Sequence, residues 1–314
     1  LASSQNSQQQ LKEDAYMAAV TQIPEHYVTE FDTNWQHLAQ QKMEKCRAYV
    51  LVDSVEGKEK SYNQMGAIDF QQVTTRAGAT RITDTPLAKR WVRPLPYDLA
   101  TLFDEWDEKF LGTVVLPQGQ TVQAQGYGYS RLVDQVVLAA AVGTAYTGET
   151  GTTATALPGA QAIAVNLGGA SIGLTIAKIL QAKYLLDDAE IDEEDPRTIF
   201  VSAKQIQDLL ATTEIKSSDY NTVKALAAGQ LDTFCGFKFK RVNKNFLPYN
   251  AGTDVRTVVV ATKSGLQLTD SGKRTYMDVL PTQSHALQIR SVCALGATRM
   301  EEVKVVTIAC DESP

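Results

Sequence analysis

The sequence predicts an α+β protein with an inserted subdomain, and three observations carry that reading. Strand-patterned segments crowd residues 46–98 and return from Phe234 to the end. An Ala-rich amphipathic stretch runs from Tyr129 to about Ala145. Strand and helix signals alternate only in the block between them, which is too little for a doubly wound sheet. With 314 residues, 44% hydrophobic and 21% charged, the chain has an ordinary globular composition and can bury a substantial core. Thirty Lys and Arg against thirty-six Asp and Glu give a net charge of -6, which argues against a protein whose main task is gripping duplex nucleic acid. No stretch reaches the roughly 18 apolar residues that cross a bilayer, so no membrane partner is expected.

The first 45 residues read as an arm. Leu1 to Gln10 is Ser- and Gln-rich and lacks the basic and apolar regions of a secretory signal. Residues 8–22 place Leu11, Ala15, Ala18 and Ala19 at helical spacing before Pro24 breaks the run. From Tyr27 to Met43, Val28, Phe31, Trp35, Leu38 and Ala39 recur at three and four residues and predict a second helix whose apolar face needs a partner.

Between Cys46 and Asp98 the pattern turns to β, with strand candidates at Ala48–Val52, Lys60–Val73 and Pro86–Tyr97. The last two read as a long hairpin, whose twelve-residue arms would span roughly 40 Å and so project or bend. Tyr62, Ile68, Phe70, Leu87, Trp91 and Leu95 are interspersed there with Arg76, Arg81, Lys89, Arg90 and Arg93, so neither side is strongly apolar. A two-stranded ribbon is marginal alone, and either another subunit or its own domain could stabilise it.

Leu99–Phe110 is expected to be a short helix. The longer one, from Tyr129 to about Ala145, starts after Gly126 and Gly128, buries Leu132, Val133, Val136, Ala140 and Val142, and sets Arg131 and Asp134 at a pairing distance of three residues. The α/β block then gives a strand at Ala162–Val165, a helix at Leu174–Leu186, a strand at Thr198–Val201, and helices at Ala203–Ala211 and Asp219–Ala228. The tail gives strands at Phe237–Val242, Val255–Thr262, Ala286–Leu295 and Val303–Cys310.

Chemical signatures are sparse. Gly169-Ala170-Ser171-Ile172-Gly173 matches the nucleophile-elbow pattern, with His285 as the available downstream base and Asp254, Asp270 or Asp278 as its partner. The same Gly and Ser are equally what a loop before a helix demands, so a serine hydrolase is the minor reading. The loop lacks the Gly-Lys-Ser/Thr ending of a phosphate cradle. Asp104, Glu105, Asp107 and Glu108 read as a solvated face, and the seven acids within Asp187–Asp195 lack the spacing of a calcium loop. Cys46, Cys235, Cys293 and Cys310 have no metal or redox spacing, and His26 with Glu30 lacks a third ligand. No cofactor and no metal is therefore expected. Lys238, Lys240, Arg241 and Lys244 form the densest basic cluster, read as a surface or subunit contact.

Four stretches together resemble the major capsid proteins of tailed, short-tailed-group bacteriophages with the Hong Kong 97-type fold. They are Phe31 to Lys42, ending His37-Leu38-Ala39-Gln40-Gln41-Lys42; Asp84-Thr85-Pro86 through Lys89-Arg90 to Asp98 and on to Asp104–Lys109; Asp134 through Gly143-Thr144-Ala145-Tyr146-Thr147-Gly148; and Gly173-Leu174-Thr175 through Asp219–Leu226 to Gly236-Phe237-Lys238-Phe239. Gly296-Ala297-Thr298-Arg299 and Val303–Cys310 extend the likeness, whereas Trp91-Val92-Arg93-Pro94 and Val114–Gln125 depart from it.

The resemblance implies an N-terminal arm (1–45), an extended β-hairpin loop with a flanking peripheral strand (46–98), a peripheral domain holding a spine helix at about 129–145 (99–155), an axial domain (156–254), and C-terminal strands completing both domains (255–314). It leaves Ser171 without a nucleophilic role. It implies a non-enzymatic subunit that assembles through pentamers and hexamers into an icosahedral shell around double-stranded DNA, held by non-specific contact. Assembly would take place in the bacterial cytoplasm, with scaffolding, portal and decoration proteins as possible partners. An encapsulin-like compartment shell is the alternative on the same fold. Subunit contacts are expected at Phe31 and Trp35 of the arm, and at Tyr62, Phe70, Arg76, Arg81, Lys89, Arg90, Trp91 and Arg93 of the ribbon.

Overall fold

The computed structural model describes residues 37–72, 74–76, 80, 82–104, 118–169, 171–211 and 233–313. The helices expected at residues 8–22 and 219–228 lie outside them. Sixteen strands are described: β1 (Leu51–Ser54), β2 (Lys60–Met65), β3 (Leu87–Val92), β4 (Leu95–Phe103), β5 (Ala145–Thr147), β6 (Thr153–Thr155), β7 (Ala162–Ile163), β8 (Arg197–Val201), β9 (Thr233–Phe234), β10 (Phe237–Arg241), β11 (Tyr249–Asn250), β12 (Val255–Thr262), β13 (Leu266–Asp270), β14 (Arg274–Leu280), β15 (Ala286–Arg299) and β16 (Val305–Asp311). Three α-helices accompany them: α1 (Gln118–Val142), α2 (Ile176–Asp188) and α3 (Ala203–Ala211).

The seven-stranded sheet runs β7-β16-β12-β8-β10-β9, with β11 on β12. Its central strands, Arg197–Val201 and Val255–Thr262, are covered on both faces, so they read as near-continuous apolar runs without alternation. One face packs Ile199, Val201, Val258, Val260 and Ile308 against Ile179, Ala182 and Leu186 of α2 and Leu209 of α3. The other face presents Phe200, Val259 and Ala261 to Val133, Val137, Leu138 and Ala141 of α1.

The same side of α1 meets a second sheet through Leu266, Leu268 and Leu295. There β13 and β14 follow one another along one edge of β15, joined across their gap by the Ser271 amide bonding Ala294 oxygen at 3.1 Å, while β4 pairs with β15 over residues 287–295. β15 alone, at 14 residues, reaches about 46 Å. The longest ribbon of the molecule is therefore here, and not at residues 60–97. The expected hairpin does form, but its ladder runs only from Lys60↔Val92 to Met65↔Leu87, about 20 Å. It closes where the Gly66 amide donates to Pro86 oxygen at 2.8 Å, Pro86 having no amide of its own to extend the pairing. Behind it β5 and β6 complete a small four-stranded sheet.

Two helix expectations are corrected. Leu99–Phe103 is strand, with Leu99 to Phe103 opposite Ser291 to Leu287, and residues 105–110 are outside the described set. Tyr97, Thr101 and Phe103 turn inward at a period of two, so sheet pairing overrides a local sequence that tolerates a helix. The long helix is α1, 118–142, rather than 129–145. It runs through Gly126 and Gly128 at about 1 kcal/mol each, because Gln125 ahead of them is buried and bonded to Thr101 (3.2 Å), Ile289 oxygen (3.1 Å) and Ser291 (2.7 Å). It stops early because Ala145 begins β5.

Candidate assembly surface

Residues 37–46 run along α1 and are not helical, which corrects the part of the Tyr27–Met43 helix expectation that falls on 37–43; residues 27–36 lie outside the described residues. His37 stacks edge-on against Tyr127 at 5.3 Å and bonds Gln123 at 3.3 Å. Arg131 donates to Gln40 at 2.7 Å. Asp134, fully buried, accepts from the amides of Lys45 (3.0 Å) and Cys46 (2.8 Å) and from the Gln41 side chain. The expected Arg131–Asp134 pair does not form; each fastens the incoming arm instead. Sequence reasoning missed Asp134 as an anchor, although an acid between Val133 and Val137 on the apolar side of a helix was the available signal.

At the helix's other end, Arg299 is fully buried and donates to the carbonyl oxygens of Ala141 (3.0 Å), Gly143 (2.8 Å) and Thr155 (3.2 Å). It caps the free carbonyls of α1 with a cation where the helix dipole favours one. Burial lowers its pKa, while Glu302 acts in the opposite sense. Asp270 accepts from Arg47 (2.8 Å) and Tyr129 (2.6 Å), tying α1 to β13.

The ribbon has a root bonded to the body, and beyond it large apolar side chains stand in solvent. At the root, Arg90 is buried and bridges Glu302 at 2.5 Å and Gln64 at 3.3 Å. Trp91 donates its indole N–H to Gly148 oxygen at 2.8 Å. Its ring lies so close to Gly151, which has a φ of +67°, that a Cβ there would sit 2.6 Å from it. Arg93 donates to Glu59 at 2.9 Å and to Gly151 oxygen at 3.0 Å, and lies 5.0 Å over the Tyr146 ring. Lys60 bridges Asp53 at 2.5 Å and Tyr62 donates to the same carboxylate at 3.3 Å; the Lys60 bond holds the Asp53 pKa below the usual value. Burial and the Asp53 charge raise that of Tyr62.

Beyond Met65 the character reverses. Phe70 is fully exposed, Ile82 is 90% exposed, and Met65, Ile68 and Leu87 are exposed with them. Arg76 and Lys89 also face solvent. Arg81, Phe31 and Trp35 lie outside the described residues. The structure therefore brings Arg90, Trp91 and Arg93 together on the subunit's own body, and Phe70, Arg76 and Lys89 do not join them.

The elbow reading is not supported. Ser171 sits five residues before α2 in an open loop and donates to Asp311 at 2.6 Å. That bond is the leading cause holding Asp311 at about 2. Among the described residues no histidine contacts Ser171, and His285 stands in the turn between β14 and β15. No group of three or more metal-ligating side chains occurs among them either, and none of their helices is long and apolar enough to cross a membrane.

A sequence model of the family described as phage capsid protein matches residues 23–312. No curated protein matches the chain significantly by sequence. Among solved structures, the capsid of cyanophage P-SCSP1u superposes with a TM-score of 0.68 at 14% identity, covering 92% of this chain and 94% of that one. The capsid of Ralstonia phage GP4 gives 0.69 at 11%, covering 92% and 97%. That of cyanophage Pam1 gives 0.68 at 12%, covering 91% and 96%. The chain thus has the Hong Kong 97-type α+β fold. The family and these neighbours are structural capsid proteins, not enzymes. With 290 consecutive positions matched, 23 through 312, the chain belongs to the phage capsid protein family and is a structural subunit of the homo-oligomeric virion shell.

Proposed function

We propose that the chain is the major capsid protein of a tailed bacteriophage. Its copies assemble in the bacterial cytoplasm, through pentamers and hexamers, into the icosahedral shell around a double-stranded DNA genome. The exposed ribbon tip carries this reading. Phe70, Ile82, Met65 and Leu87 leave large apolar side chains in water, which in a soluble monomer is a liability and in an assembly is a contact.

The bonded root and the exposed tip divide the labour. Tyr62, Arg90, Trp91 and Arg93 fix the direction in which the ribbon leaves the body, and Phe70, Arg76, Arg81 and Lys89 meet a neighbouring subunit. Phe31 and Trp35 of the arm add a second contact. In the same reading residues 1–45 are the arm, 46–98 the ribbon with its flanking strand, 99–155 the peripheral domain, 156–254 the axial domain, and 255–314 the strands that complete both. The net charge of -6 suits a container that holds packaged DNA by non-specific contact only. Scaffolding, portal and decoration proteins are the expected helpers of assembly. The phage family match supports this reading over an encapsulin-like compartment.

Sedimentation of the purified full-length chain tests it. Closed shells of megadalton mass are expected, visible as hollow particles in electron micrographs. A homogeneous monomer that never assembles, even with a scaffolding protein supplied, overturns the reading.

A further inference from the structure

The carboxyl ends of β8 and β10 open onto a polar cavity of about 680 Å³ that the ribbon contacts do not involve. Lys45, Lys204, Arg241 and Lys244 line it. Lys204 reaches Asp208 at 3.4 Å; among the described residues the other three have no carboxylate within ion-pair distance. Glu312, the acid in the lining, is already held by Arg256 at 2.7 Å and Gln205 at 2.6 Å. Burial, and then the nearby Arg241 charge, push the Lys45 pKa below its ordinary value. Three cations with no ion-pair partner among the described residues are thus gathered in a concave site whose one lining carboxylate is already engaged by Arg256 and Gln205.

The counter-charges exist elsewhere on the same chain. From the last residue of α2 to β8 the chain carries Asp188, Glu190, Asp192, Glu193 and Glu194, all exposed and without an ion pair among the described residues. The loop is pinned at both ends, by the Asp187–Arg197 bridge at 2.5 Å and by Asp195 accepting from the Ser264 amide at 3.3 Å. It enters β8 at Arg197, whereas Ser202 and Lys204 follow its last residue, Val201, and parallel β10 sets Arg241 beside Val201. The five residues of β8 hold the two clusters about 17 Å apart, at opposite ends of the strand layer. A loop pinned at both ends cannot swing back into its own cavity.

A ring of identical subunits needs two different, complementary patches on opposite sides of each copy. We propose that the acidic loop 188–194 of one subunit docks into the basic cavity of its ring neighbour. This rests on the shell-subunit reading and adds to it which faces meet. Five unpaired carboxylates and three unpaired cations on one chain favour a second copy of the chain as the occupant over the phosphates of the genome, which an acidic chain is poorly built to hold.

Three altered full-length chains decide the matter: R241E with K244E, E193K with E194K, and all four together. Juxtaposed like charges oppose docking, so each one-sided chain is expected to lose at least about tenfold in shell-sized material on sedimentation. The four-fold chain, complementary again with the signs exchanged, is expected to recover it. Circular dichroism of the unassembled subunits establishes that each is folded. If both one-sided chains assemble like the unaltered one, the docking is wrong and the shell reading stands. If R241E with K244E gives shells of normal yield that carry less nucleic acid, the cavity serves phosphate and the docking is wrong. A folded four-fold chain that fails to assemble also overturns it. No assembly by the unaltered chain, with a scaffolding protein supplied, overturns both readings.

Discussion

Arg299 and Glu312 show how much of this fold depends on single buried charges. Arg299 donates to the carbonyls of Ala141 and Gly143 where α1 ends and to that of Thr155 on β6. Arg299→Met keeps much of the volume and removes every bond. The expected loss is about 3 kcal/mol, from unsatisfied buried acceptors, read as a lowered denaturation midpoint; a change under about 0.5 kcal/mol, the level of an indifferent surface substitution, contradicts the capping role. Glu312 is the pH-sensitive counterpart. Burial alone would raise its pKa, but bonds from Arg256 and Gln205 outweigh that and lower it. A depressed carboxylate contributes stability above its unfolded pKa, about 4.3 for glutamate, and loses it as pH falls through the folded value. Unfolding measured from pH 7 downward is therefore expected to weaken below about pH 4.3, and Glu312→Gln to be less stable at pH 7 with a shallower acid slope. An unchanged slope contradicts the linkage.

Elements differ in how far their own residues specify them. Val255–Thr262 and Ala203–Ala211 have the bounds their pattern predicts, because continuous β-branched residues and a clean helical period each admit one answer. Leu95–Phe103 and Leu266–Leu280 were not legible. Their strand character comes from lying against β15, 6 to 18 positions away for β14, 25 to 33 for β13 and 184 to 200 for β4. α1 was half legible: its Ala-rich half shows in the sequence, and its glycine-containing half is helical because Gln125 bonds the sheet beneath. The ribbon was legible as a hairpin and overestimated in length, since pairing stops at Gly66. Of the candidate contacts, the mixture of aromatic and cationic residues singled out the segment by its composition alone. It could not separate Arg90, bonded at home to Glu302, from Phe70, exposed to solvent, because that division depends on Glu302 and Gly148, remote in sequence. Replacing 67–85 by Asn-Gly, which favours a tight hairpin turn, is expected to leave the subunit folded with an unchanged circular dichroism spectrum and to abolish shells. Normal shells from this chain contradict the role given to the tip.

At the scale of the whole molecule, α1 is the common floor of two sheets. One of its faces packs on β8 and β12 and also on β13 and β15, so the two sheets share the core around Val133, Val137, Leu138 and Ala141. The arm is fastened along the same helix by Asp134, and the ribbon is fastened at its root by Glu302 and Gly148. A rigid body with its adaptable parts at the periphery is what a closed shell needs, since near-equivalent positions differ chiefly in how the peripheral parts reach their neighbours. Electron cryo-microscopy of the assembled particle tests this most directly. The account predicts subunits whose α1 and two sheets superpose among all shell positions, with residues 66–86 laid across an adjacent subunit and Phe70 and Ile82 buried there. Ribbons that stand free of their neighbours in a closed shell, with Phe70 still in solvent, would contradict it.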